Sequence, residues 1–270
     1  MPALDDLLSQ VTGARIFDLE HERYAGAPIF PAHWPGFVYT LHRRHEVISG
    51  QARTSASGTI TTQEHSGTHI DALCHQAVDM CMHGGVEVGP EVQTPQGFTS
   101  LGVETIPPIF RRGVMLDVPR AQGRDRLPRG YLVTGADLEA TAQAQGVEVR
   151  PGDCVLIRTG TAQDFADEPA YLDGAGVGAD GARWLAGHRP YLVGADNVSL
   201  DQAQHVDPDL GLLPCHTVLT VEAGIYILEN LQLEELAAAA CQEFLFICLP
   251  LKMRGVTGSP VRPVALHAGT

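Results

Sequence analysis

Apolar and polar positions along this chain alternate between two regimes. Short, nearly unbroken apolar runs bounded by Gly, Pro or Asp occur at 113–118 (GVMLDV), 153–160 (DCVLIRTG), 190–196 (PYLVGAD), 224–230 (GIYILEN) and 243–251 (EFLFICLPL). Runs of that length and composition predict strands buried on both faces. Residues 37–48 (FVYTLHRRHEVI) and 56–64 have β-branched and aromatic content with an imperfect period of two, which predicts an early antiparallel layer. Helices are predicted over 136–145, where Thr134 caps the start and Gly146 ends it, over 231–241 (LQLEELAAAAC) and over 180–187 (DGARWLAG). The stretch 79–100 reads as one long loop, of the kind that often carries function. The expected fold class is α/β with a mixed, antiparallel-rich sheet. No composition shift marks a linker, so one domain is expected over 1–270, with 1–14 as an N-terminal extension.

Charge narrows the partners. With 18 basic against 32 acidic residues the net charge is −14, which opposes binding to nucleic acid or to an anionic membrane. Lys252 is the single lysine and follows Leu251 rather than glycine, so no Walker phosphate loop is present. The N-terminal stretch has Asp5 and Asp6 where a secretory leader needs positive charge, and no apolar run is long enough to span a bilayer. A cytoplasmic protein is expected. Its cysteines at 74, 81, 154, 215, 241 and 248 form no CxxC pair, which predicts reduced core thiols.

The strongest chemical signal is H-S-G-T-H-I-D-A-L-C-H at 65–75, which gathers three of the 12 histidines with an aspartate. His65, His69, His75 and Asp71 are ligand types that zinc, manganese or iron accept. A bend at Gly67 would fold His65 beside His69. In an extended chain His69 and Asp71 share a face; alternatively Asp71 caps a helix that places His75 one turn on. A second segment, C-H-T-V-L-T-V-E-A-G-I-Y-I-L-E-N-L at 215–231, offers His216 and Glu229, a carboxylate ending an apolar strand, whereas Glu222 reads as solvated surface.

The other histidines (21, 33, 42, 45, 83, 188, 205 and 267) read as ordinary core or surface residues, and Asp196, Asp201, Asp207 and Asp209 as turn and loop chemistry. G-V-G-A-D-G at 176–181 matches a dinucleotide fingerprint, but no strand-forming run precedes it.

The segment 65–75 resembles the HxGTHxDAPxH signature of the metal-dependent cyclase-like hydrolases, which include bacterial kynurenine formamidase and isatin hydrolase. D-L-E-H at 18–21, P-I-F-P at 28–31 and the His216–Glu229 segment extend the likeness, while Leu73 stands where the signature has proline. The resemblance implies a swivelling β/β/α fold and a homo-oligomer, dimer or tetramer. It implies one or two divalent metals, Zn2+ or Mn2+, with His65, His69 and Asp71 on the first and Asp71, His216 and Glu229 on the second. His75 would be the proton carrier and Phe30 an aromatic contact to a small-molecule substrate. The implied reaction is hydrolysis of an amide C–N bond in an aryl formamide or cyclic amide by a metal-activated water. A metal-dependent cyclase or dehydratase and a metal-stapled binding protein are the alternatives.

Overall fold

The computed structural model describes residues 4–47 and 49–268. Position 48, which ends the predicted 37–48 strand, and residues 1–3 of the expected N-terminal extension lie outside the described residues. Nine strands form the main sheet: β1 (Ala14–Asp18), β2 (His69–Asp71), β3 (Ile109–Asp117), β4 (Cys154–Arg158), β5 (Leu192–Ala195), β6 (Tyr226–Glu229), β7 (Glu243–Cys248), β8 (Gly258–Pro260) and β9 (Val264–Ala268). Their spatial order is β1-β9-β7-β3-β4-β5-β6-β2-β8. The middle four run parallel, and every pairing outside them is antiparallel, as the α/β expectation with a mixed, antiparallel-rich sheet required.

Both faces of the parallel block are buried, which explains its unbroken apolar runs. Along β4, Val155 and Ile157 point into one core while Cys154 and Leu156 point into the other. The helices Gly135–Gln145 and Ala179–His188 cover the Val155 side through Leu138, Ala142, Ala182 and Leu185. The first begins in a reciprocal capping box between Thr134 and Asp137 and ends at Gly146, at φ +66°. A cap of this kind contributes about 1 kcal/mol. The Cys74, Cys154 and Cys248 side of the sheet is filled by Phe17, Ile70, Met115, Phe244 and Phe246.

Four expectations change. Phe37–Arg43 and Ser57–Thr62 do pair antiparallel, but as a separate two-stranded ribbon with Tyr39 and Ile60 exposed, so there is no early layer against the core. The predicted 231–241 helix shrinks to Glu234–Ala238, because the Leu231 backbone bridges to Glu20 and bonds to the Ala195 carbonyl, and Ala240 turns to φ +50°. The stretch 79–100 contains two short hairpins, and Val86, Val88, Val92 and Phe98 pack on the core. Residues 4–12 of the expected extension form a helix, and β1 has begun by Ala14.

Among the glycines of 176–181, Gly176 and Gly181 answer to close packing. A Cβ on Gly176 would lie 2.3 Å from the Asp201 backbone, and one on Gly181 would lie 2.7 Å from the Val133 carbonyl oxygen.

Candidate metal centre

The carboxyl ends of the parallel strands carry polar side chains, and β6 ends there on Glu229. Strand β2 runs antiparallel to β6 with His69 directly opposite Glu229, so these two side chains are cross-strand neighbours. The chain is extended from His69 to Asp71, which puts both on one face while Ile70 enters the core. The alternative, a helix capped by Asp71, is not formed: residues 72–75 make a tight turn in which the His75 N–H donates to the Ala72 carbonyl. The Asp71 carboxylate is committed to the histidines around it.

Gly67, at φ +59°, makes the bend that returns His65 to the side of His69. Arg23 holds this bend by donating to the carbonyls of Ser66 and Thr68. Gly258 leaves room for the His65 ring, since a Cβ there would lie 2.6 Å from it. His65 has both nitrogens engaged, Nδ1 at 2.8 Å from Asp71 Oδ1 and Nε2 at 2.8 Å from Thr257 Oγ1.

His69 and His216 are held differently. His69 Nδ1 donates to the Gly67 carbonyl at 2.8 Å, and His216 Nδ1 donates to Asp201 Oδ2 at 2.8 Å, so each ring turns Nε2 to the same point. His216 lies at the start of a π-helix, His216–Ala223, whose far end is tied by His83 Nδ1 donating to the Val221 carbonyl. His69 Nε2 lies 3.4 Å from Asp71 Oδ1 and 3.2 Å from Glu229 Oε2; His216 Nε2 lies 3.4 Å from Asp71 Oδ2 and 3.3 Å from Glu229 Oε1. His69 Nε2, Asp71 Oδ2 and Glu229 Oε1 are buried without a hydrogen-bond partner.

Orphaned buried polar atoms are costly, and three facing one point call for a shared partner. Ligands 2.0–2.1 Å from a tetrahedral ion are spaced about 3.4 Å apart, close to the separations seen here. The donor set therefore fits a divalent cation. His65, His69 and Asp71 form one group with donor atoms within 4.8 Å of one another, and Asp71, His75 and His216 form another. Glu222 is exposed, as expected.

Without a cation the charges balance through protons. Burial alone would depress His69, but Asp71 and Glu229 outweigh it and raise His69 to about 10. Burial likewise opposes the charge on His216, and Asp201, Asp71 and Glu229 raise it well above the usual imidazole value. Asp71 is held well below the carboxylate range despite its burial, by the surrounding histidines. His75 behaves in the opposite way: burial drives it down to about 3 and leaves it neutral. The Cys74 thiol is pushed up to about 12 by burial, consistent with a packed, unreactive side chain.

His75 stacks on His65 with ring centroids 3.9 Å apart and stands 6.0 Å from the His216 ring. His33 also stacks on His65, with ring centroids 4.8 Å apart, and Phe30 lies 6.1 Å from His33. The sequence reading of His33 as an ordinary residue is corrected by this placement. His21 is also close: its N–H donates to Thr68 Oγ1 and its ring stacks on Phe165 at 3.8 Å. Asp196 and Asp201 do lie in a loop, but one that is fully buried, and Asp207 caps a turn, accepting from Asp209 and Leu210. Histidine placement depends on folds between distant segments, and only the P-I-F-P neighbourhood of His33 offered a hint.

Comparison with known proteins finds relatives along most of the chain. A kynurenine formamidase from Sphingopyxis alaskensis is 27% identical over 252 residues, covering 93% of this chain and 97% of that one. A solved structure described as a novel cyclase superposes with a TM-score of 0.82 at 28% identity, covering 97% of this chain and 91% of its own. Isatin hydrolase A from Ralstonia solanacearum superposes with a TM-score of 0.74 at 25% identity, covering 98% of each chain. A family model described as a putative cyclase matches residues 17–202, which takes in His65, His69, Asp71 and His75 and stops before His216 and Glu229. The chain belongs to the putative cyclase family.

Proposed function

We propose that this protein is a metal-dependent hydrolase that cleaves a non-peptide amide C–N bond, in an aryl formamide or a cyclic amide of the lactam or isatin kind. The observation that carries the reading is the ring of three unpartnered buried atoms, His69 Nε2, Asp71 Oδ2 and Glu229 Oε1, with His216 Nε2 completing it. The names of the relatives, a formamidase and an isatin hydrolase, support the substrate class.

His69, Asp71, His216 and Glu229 hold the cation, and His65 braces Asp71 or joins it on a second ion. The nitrogen and oxygen donors suit Zn2+ or Mn2+. When bound, such an ion acidifies a water molecule and polarises a carbonyl oxygen. His75, neutral and half-buried beside the donors, accepts a proton at a ring nitrogen and returns it to the departing nitrogen. Phe30 and His33 form an aromatic wall against which a planar substrate rests.

The chain acts as one folded unit and as a homo-oligomer, a reading supported by the exposed apolar ribbon. No helix among the described residues is long and apolar enough to cross a membrane, and all six cysteines are free, which suits a cytoplasmic setting.

The test is elemental analysis of the purified protein, then turnover of aryl formamides, isatins, lactams and cyclic imides by metal-reconstituted protein. Ring-opened or deformylated product with a divalent metal present is expected. Ring closure or loss of water instead would make the protein a lyase, and a tightly held ion with no turnover of any substrate would make it a binding protein. Light scattering reads the oligomeric state.

A further inference from the structure

The loop from Asp196 to Gln202 is unusual in being both irregular and buried. No residue in it exceeds 5% exposure, although connecting segments normally run over the surface because their backbone needs water. Here the chain supplies the missing partners. Asn197 Nδ2 donates to the carbonyls of Ala175, Leu200 and Asp201, and Ser199 Oγ donates to the Asp201 carbonyl. Leu200 adopts φ +56°, a left-handed conformation that a branched apolar residue enters at a cost. Gly176 lets the Asp201 backbone pass where a Cβ would collide at 2.3 Å.

All of this places one carboxylate. Asp201, at 0% exposure, accepts from the Cys215 N–H at Oδ1 (2.7 Å) and from His216 Nδ1 at Oδ2 (2.8 Å). The two donors are consecutive residues at the entry to the π-helix. We propose that Asp201 is a positioning residue that keeps the His216 proton on Nδ1 and so presents the Nε2 lone pair to the cation. This inference rests on the metal reading of the site given above. His69 obtains the same tautomer from a neutral acceptor, the Gly67 carbonyl, so the carboxylate makes His216 the more basic ligand of the two.

Asparagine cannot replace this aspartate in both contacts. If its oxygen faces the Cys215 N–H, its NH2 faces His216 Nδ1, which must then become the acceptor and move the proton to Nε2. The metal-facing nitrogen is lost as a ligand until that contact is broken.

Apoprotein is titrated with Zn2+ against a competing chelator for wild type, Asp201→Asn and Asp196→Asn. Asp196 sits in the same loop, is equally buried, and bonds to Thr159 and Gly160 instead of His216. Asp201→Asn is expected to weaken Zn2+ binding about 10–100-fold, the usual cost of losing such a partner, with Asp196→Asn unchanged. Equal affinity in Asp201→Asn and wild type overturns the positioning role alone, and so does an equal loss in both variants. Failure of wild type to bind Zn2+ overturns the metal reading of the site and the inference with it. Should Asp201→Asn not fold, histidine 15N NMR of Zn2+-loaded wild type decides: His216 carrying its proton on Nδ1 supports the role, and metal on Nδ1 overturns it.

Discussion

Two buried charge clusters stand at the carboxyl ends of the same parallel strands, and they are built on opposite principles. Around Arg158, at the end of β4, every side-chain nitrogen has a partner. Its guanidinium donates to Asp117, to both oxygens of Glu234 and to the Asp125 carbonyl, at 2.8–2.9 Å. Around Glu229, at the end of β6, two carboxylates and two imidazoles face one another and three atoms go unpartnered. A satisfied buried network specifies the fold, whereas an unsatisfied one stores a requirement that a ligand fulfils. The contrast marks the second cluster as the one whose donors could hold a metal ion.

The largest expected effect breaks the second cluster. Asp71→Asn should empty the site of metal by elemental analysis and lower turnover by at least ~10³-fold, the several kcal/mol that a bound cation contributes. His75→Asn should lower turnover by about 10²–10⁴-fold while keeping its metal, as expected of a proton carrier. Loss of metal from that variant would make His75 a ligand.

Breaking the first cluster should do the reverse. Arg158→Ala leaves Asp117 and Glu234 without their cation and should destabilise the protein by about 3–5 kcal/mol in denaturant unfolding, with metal affinity per folded molecule intact.

The smallest effect separates the clusters by pH. In metal-free protein His69 titrates at about 10 against 6.5 when unfolded. The stability it contributes is complete below pH 6.5 and is lost as pH rises to about 10. Chelator-treated protein should therefore melt at falling temperature across that window, while Arg158, whose own ionisation is raised further, adds no slope there. Metal affinity should climb over the same range, because the cation must displace the protons on His69 and His216.

Much of this molecule is legible in its sequence, for a local reason. The central strands β3 to β6 show as apolar runs because burial on both faces removes polar positions from them. Thr134 and Gly146 mark a helix because caps act within one turn. His65, His69 and Asp71 could be read together because a bend and an extended step join them across seven residues. Their partnership with His216 and Glu229 entered through family resemblance, since no spacing rule links segments so far apart. The tertiary structure alone decided the rest. It set the ribbon at 37–62 apart from the core, and it cut the 231–241 helix short by giving the Leu231 backbone a sheet partner. It also brought His33 against His65, and it placed Asp201 behind His216 through a loop that looks in sequence like any polar turn. Local propensity is written residue by residue, but the pairing of a buried polar group depends on which distant chain arrives beside it.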